Sequence, residues 1–325
     1  MHVILIKSFT EKAWRSAQTY NIIENSLRKK WDVTVIHTED TVMFKKRLAE
    51  LSEQHAGQVF VFNIAEYLDE ENKLGFIPAI LDEMQLPHLG SNAQAIKASL
   101  DKSLAKDFFK ENAVPTPASF VVAENEEVTM EEVEEIGFPL IVKPLHEGGH
   151  IGIDSSSIVR DLPRLKRAIK RIWKKLEQPA IVEEYITPQG MREFSVGILD
   201  GTPRMMLPIE IDFSAMDVEE PILTYELAQQ DLEEIDLVKD KKIAAKINQL
   251  AEEAFDAIGA EDYSRVDIRM NDTGYYVLEI NTMPGLGPGS FLPQAAHNLC
   301  NIDYLPFIQL LTRIALQREI KHISQ

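Results

Sequence analysis

The sequence predicts an α/β protein made of several packed units, and three observations predict it. Short apolar runs alternate with helical periodicity over the first ninety or so residues. A proline-rich stop, "VPTP", then closes a helix-like run. Beyond it come strand-like runs in which polar and apolar residues alternate. At 325 residues the chain exceeds one typical domain and has ample material for buried cores. Three units are expected, over 1–96, 97–186 and 187–325.

In the first unit, "HVILIK", "DVTVIHT" and "QVFVFNI" read as strands. The amphipathic stretches "AWRSAQTYNIIENSLRKK" and "TVMFKKRLAELSEQHA" read as the helices between them. That order implies parallel βαβ units with helices covering the sheet. No G-x-G-x-x-G turn follows the first strand, so a dinucleotide fingerprint is not indicated.

One helix is expected over "NAQAIKASLDKSLAKDFFKENA", stopped by "VPTP", whose prolines remove donors and bias the preceding residues to extended forms. The second unit carries "FPLIVKP", a glycine-rich loop "HEGGHIG", a basic amphipathic helix "LPRLKRAIKRIWKKLE" and the strand "PAIVEEYI". The third begins near "REFSVGILDG", passes an acidic segment and the helix "KKIAAKINQLAEEAFDAIG", and ends in "DIRMNDTGYYVLEINTMPG".

Composition narrows the partners. A net charge of −18 repels phosphate backbones and anionic lipid, so neither nucleic acid nor a membrane is expected. Cys300 is the only cysteine, which excludes an intramolecular disulfide framework and fits a reducing compartment. No apolar run approaches membrane-spanning length, and a cytoplasmic protein is expected.

The chemistry concentrates in the last hairpin. Taking Asp272-Thr273-Gly274 as a three-residue loop, Asp267 falls opposite Glu279 and Arg265 opposite Asn281. Alternation puts these four on one face and Val266, Ile268, Leu278 and Ile280 on the other. Two carboxylates and an amide oxygen so spaced suit a hard cation such as Mg²⁺. A solvated face with Arg265 paired to a carboxylate explains the pattern equally well. Upstream, Lys143 ends a strand beside Gly148 and Gly149, where an ammonium and close-approaching backbone N–H groups suit phosphate. Lys102, His146 and His150 read alone as solvated side chains.

The order of "GS…DK", "VPTP", "FPLIVKP…EGG…GI", "VEEYI…EF", "RVDIRM…YYVLEIN" and "NTMPG…S…P" resembles the D-alanine:D-alanine ligase family of the ATP-grasp superfamily, over nearly the whole chain. The resemblance implies a three-domain ATP-grasp architecture and an ATP-dependent carboxylate–amine ligase that works through an acyl phosphate. It implies ATP with two Mg²⁺ ions, or Mn²⁺ in their place, amino acids as small-molecule substrates, and a homodimer. Lys102 and Lys143 match the phosphate lysines, with Glu147, Gly148 and Gly149 in the loop over the nucleotide. Glu183, Glu184, Tyr185 and Ile186 match the adenine segment, and Glu193 the ribose carboxylate. Asp267, Glu279 and Asn281 match the metal ligands. Arg265 matches the arginine at the acyl phosphate, Gly285 an oxyanion N–H, and Ser290 and Phe291 the second substrate's carboxylate site. Glu11 matches the residue that meets the first substrate's amine.

The chain also departs from that family. "LIKSFTE" lacks the glycines of "GG-x-S-x-E", and "EGGHIG" has Gly149 where the family carries serine. "TYELAQQD" lacks the Lys-Tyr pair, and "VFNIAEY" replaces a His-Gly region. These changes cluster on the first-substrate side. They leave open a related ligase for other amino acids or a hydroxy acid, and, in a different class, a nucleotide-binding module without catalysis.

Overall fold

The computed structural model describes residues 1–8, 15–37, 40–187, 189–216, 218, 220–229 and 235–324. Glu11 lies outside the described residues.

The N-terminal sheet is parallel, as the alternating pattern predicts. Its strands β1 (His2–Lys7), β2 (Asp32–His37) and β3 (Val59–Phe62) run in the order β2-β1-β3. Between them lie α1 (Ala17–Arg28) and α2 (Thr41–Gln54). Both starts are capped: Ser16 accepts from Thr19 N, and Asp40 from Val42 N and Met43 N. A short hairpin, β4 (Tyr67–Asp69) and β5 (Leu74–Phe76), and α3 (Ile77–Glu83) follow.

The expected single helix over 92–113 is two helices, α4 (Ala93–Leu100) and α5 (Lys102–Glu111). Asp101 is the break. Its backbone is extended, and its carboxylate accepts from Ser103 N and Leu104 N, so it caps α5. Lys102 is thereby placed in the first turn of α5 and is buried.

The second sheet is antiparallel, in the order β6-β9-β7-β8: β6 (Ser119–Val122), β7 (Leu140–Pro144), β8 (Ile158–Val159) and β9 (Ala180–Glu184). Helices α6 (Met130–Ile136) and α7 (Leu162–Leu176) pack on one face, where Val133, Leu165, Ile169 and Ile172 meet Val122, Leu140, Val142 and Val182. Alternation sends Ile141, Lys143 and Glu183 to the opposite face.

The third sheet has the order β12-β11-β10-β13-β14 and is also antiparallel. Its strands are β10 (Arg192–Leu199), β11 (Met205–Ile211), β12 (Ile235–Leu237), β13 (Tyr263–Asn271) and β14 (Gly274–Asn281). Helices α8 (Tyr225–Gln229) and α9 (Lys241–Ile258) lie between them in sequence. On one face Phe194, Val196, Val266, Ile268, Val277 and Ile280 pack against Ile247, Leu250 and Phe255 of α9 and Phe109 of α5.

The hairpin reaches its expected register by a different route. The loop is two residues, with Asn271 opposite Gly274, and Asn271 Oδ1 accepts from Thr273 N and Gly274 N. A bulge between Asp267 and Ile268 then adds one residue on β14 and brings Asp267 opposite Glu279. The extra residue changes which side chains share a face. Val277 is in the core with Ile268, while Leu278 turns to the cleft beside Glu279.

Two final helices, α10 (Phe291–Cys300) and α11 (Tyr304–Ser324), return to the start of the chain. Phe307, Ile308, Leu311 and Ile314 of α11 share a core with Val3, Leu5, Tyr20, Ile23, Phe60 and Phe62. Among the described residues no helix is long and apolar enough to cross a membrane.

Candidate active site

The polar faces of the two antiparallel sheets enclose a cleft of about 820 Å³, open mouth included. Ten of the residues singled out by sequence line it: Lys143, Glu183, Glu184, Tyr185, Ile186 and Glu193, with Arg265, Asp267, Glu279 and Phe291. The apolar lining, which includes Ile141, Ile153, Ile222 and Leu223, suits a flat ring.

On the central-sheet side, Lys143 Nζ donates to Glu183 Oε2 at 2.8 Å. Glu183 is 1% exposed, and burial alone would raise its pKa; Lys106 and Lys143 hold it below the usual carboxylate range. Lys106 is a residue that sequence reading passed over. It is 1% exposed, with Nζ 3.4 Å from Glu183 Oε1 and hydrogen bonds to Thr116 Oγ1 at 2.8 Å and Pro117 O at 3.2 Å. Burial pushes its ammonium down to about 8 against the pull of Glu183.

Lys102 joins the cleft to the glycine-rich loop. Its ammonium donates to the carbonyl of Glu147 and stands 3.9 Å from Glu279 Oε2. The Glu147 carboxylate receives Lys73 and Gln178 side chains, each at 2.9 Å, tying the loop to the β4–β5 hairpin. Gly149 and His150 both have positive φ, and His150 lines the cleft. It is therefore no solvated loop histidine, whereas His146 is exposed. A Cβ at Gly148 or Gly149 would meet nothing within 4 Å, so these glycines leave open space at the loop.

On the other wall the charges are laced across strands. Glu193 faces Arg269, whose guanidinium donates to Glu193 Oε2 through both Nε, at 2.7 Å, and Nη2, and to Pro221 O at 2.9 Å. Ser195 faces Asp267 and donates to Oδ1 at 2.6 Å. Arg265 grips the same carboxylate, with Nε 3.0 Å from Oδ1 and Nη2 2.9 Å from Oδ2. Opposite Arg265 on β10 is Gly197, where a Cβ would come within 3.3 Å of the Phe291 ring. The missing side chain lets Phe291 lie under the Arg265 guanidinium, 6.0 Å from ring centre to Cζ.

Glu279 is a strongly perturbed carboxylate of the cleft. Burial would raise it, yet Lys102, His150, Lys143 and Arg265 together hold it down at about 2. It stays ionised at any ordinary pH. Asn281 is half-buried and its Oδ1 accepts from Met283 N at 3.0 Å, which fixes the start of the 282–290 loop. Gly285 lies in that loop, and Ser290 is the N-cap position of α10. Among the described residues no three His, Cys, Asp or Glu side chains form a metal-binding group; Asp267 and Glu279 are two carboxylates, with the amide of Asn281 beside them.

Residues 108–313 match the family model described as the D-ala D-ala ligase C-terminus. The chain belongs to the D-alanine–D-alanine ligase family. A D-alanine–D-alanine ligase of Hydrogenovibrio crunogenus is 34% identical over 226 residues, 68% of this chain and 67% of that protein. An uncharacterized protein of Sinorhizobium fredii is 33% identical over 241 residues, 73% of this chain and 68% of its own. In three dimensions the crystal structure of the Bacillus anthracis D-alanine–D-alanine ligase complexed with ATP superposes with a TM-score of 0.77. It covers 99% of this chain and all of that one at 21% identity, a likeness of fold. The fold is the ATP-grasp arrangement, mixed α/β, with one parallel sheet, two larger antiparallel sheets and the two-stranded β4–β5 hairpin among the described residues.

Within this ligase fold the residues missed by sequence reading are Lys106, Ser195 and Arg269, each a partner of a residue that was named. Arg269 carried a usable signal, since it shares a strand face with Arg265 and Asp267. Lys106 carried only a weak one, four residues after Lys102 on the same helix face.

Proposed function

We propose that the chain is an ATP-dependent carbon–nitrogen ligase of the D-alanine:D-alanine type, which joins the carboxylate of one amino acid to the amine of another with release of ADP and phosphate. The observation that carries this reading is the convergence, in a chain of this family, of Lys143, Arg265, Asp267 and Glu279 on one cleft between two sheets, with Lys102 at its edge.

The roles are those that the family resemblance implies, and the grouping of the described residues in the cleft supports them. The adenine is held by Glu183 to Ile186 against Ile222 and Leu223, and the ribose by Glu193. Lys102 and Lys143 neutralise phosphate oxygens, and Glu147, Gly148 and Gly149 cover them and exclude water. The first substrate's carboxylate oxygen bonds to the γ-phosphorus as the bond to the bridging oxygen of ADP breaks. The amine nitrogen of the second substrate then bonds to the acyl carbon and gives up a proton, and phosphate leaves. Arg265 steadies the acyl phosphate, and with the Gly285 N–H it faces the developing oxyanion. Ser290 and Phe291 meet the second substrate's carboxylate. Glu11 meets the first substrate's amine.

Asp267, Glu279 and Asn281 form an all-oxygen donor set that fits Mg²⁺, with Glu279 kept ionised by the surrounding cations. The ion would supply charge neutralisation to the phosphates.

The test is ADP release by the purified chain with D-alanine, ATP and MgCl₂, with the product identified by mass. A dipeptide of two alanines is expected. ATP binding with no ligation product from any amino acid mixture would overturn the enzymatic reading.

A further inference from the structure

Glu183 is held by one lysine and approached by a second. Lys143 donates to Oε2 at 2.8 Å, while Oε1 is buried without a hydrogen bond, 3.4 Å from Lys106 Nζ. Lys106 spends two hydrogen bonds on Thr116 and Pro117. An ammonium has three donors, so one remains for Glu183. This arrangement is hard to account for if the lysine and the carboxylate are only structural, because both are removed from water and one carboxylate oxygen has only a long ion-pair contact with Lys106.

We propose that Lys106 is a positioning residue that takes over Glu183 when Lys143 leaves it for the nucleotide's phosphates. The inference rests on the ATP reading above. Lys143 has one ammonium for two tasks, pairing the buried Glu183 and neutralising phosphate. Without a substitute, its departure would strand a carboxylate in a water-excluded site, which strongly disfavours the bound state. Lys106 needs only a small closure to make the contact. Its stem is anchored by α5, and Thr116 is itself fixed through its hydrogen bond to Val277 O at 2.8 Å. One face of α5 then serves both carboxylates, with Lys102 near Glu279 and Lys106 near Glu183.

The exchange has a signature that a structural lysine lacks. Adenosine has no phosphate to draw Lys143 away, so Lys106 matters for ATP and not for adenosine. Binding of each to the full chain in MgCl₂ is measured by calorimetry for the wild type, Lys106→Met and Lys106→Arg. Lys106→Met is expected to weaken ATP by about tenfold or more, because a buried carboxylate loses its replacement cation. Adenosine affinity should stay within about twofold, and Lys106→Arg should recover most of the ATP affinity by keeping the charge. Equal weakening of both ligands, or of neither, would overturn the proposal while leaving ATP binding intact. No ATP binding by the wild type would instead overturn the ATP reading and this inference with it. Should Lys106→Met fail to fold, the wild type labelled with ¹³C at lysine Cε decides the matter. The Lys106 signal, assigned through Lys106→Arg, must move with ATP and not with adenosine; the same response to both, or to neither, overturns the exchange.

Discussion

The two walls of the cleft hold their charges in opposite ways. On the third sheet Glu193 is tied across strands to Arg269 and Asp267 to Ser195, while Arg265 grips Asp267 two residues along the same strand. Backbone register sets these distances, so the wall is a fixed template. On the central sheet two lysines converge on Glu183, Lys143 through a hydrogen bond and Lys106 only through a longer ion pair. The difference separates pre-organisation from exchange. One wall holds groups where charge develops, and the other holds a cation that can change partners.

The largest way to break this contrast is to cut the fixed wall. Arg269→Met strands the buried Glu193 and is expected to lower unfolding free energy by about 3–5 kcal/mol, measured by urea denaturation. Retention of full stability would mean that the wall is not held by its ions. Glu279→Gln, in the same wall, should leave the fold intact and cut Mg²⁺-dependent ADP release by about 100- to 1000-fold, the scale of one lost electrostatic stabiliser. Near-normal turnover would end the metal assignment.

Lys143→Met sharpens the comparison from the other side. Because Lys106 can hold Glu183, the stability loss should be about 1 kcal/mol, well short of the cost of breaking a buried pair outright, while ATP affinity falls. A loss as large as that of Arg269→Met would make the two walls equivalent. The smallest effect is expected at Gly197→Ala. The added methyl would crowd the Phe291 ring at 3.3 Å and shift it from Arg265 by tenths of an ångström. That should cost about 1 kcal/mol in transition-state stabilisation, read as a several-fold drop in kcat/KM for the second substrate.

Much of this was legible in the sequence where the signal is local. Period-two alternation places Asp267 and Glu279 on one strand face, and Lys143 reads as the end of a strand. The hairpin register was right for a wrong reason: the loop is one residue shorter than expected, and the bulge at Leu278 makes up the difference. Leu278 therefore landed on the wrong face. Asp101 splits the expected helix because an N-cap carboxylate competes with a periodicity that continues through it. What could not be read is the pairing between distant strands and helices. Lys106 lies 77 positions before Glu183, and a helical lysine without a visible partner is ordinarily solvated.

The position of α11 bears on how the chain is made. The Val3, Leu5, Phe60 and Phe62 side of the N-terminal sheet is completed by Phe307, Ile308 and Leu311, and Ser26 donates to the carbonyl of Leu305 at 2.8 Å. A ribosome synthesises that sheet well before α11. The face lacks these covering residues until residues 304–315 emerge, an interval of about 12–50 s at ordinary elongation rates. Through that interval the nascent sheet presents an apolar surface to chaperones and to other chains. Emergence of α11 is thus the step that completes the native packing of the first strands.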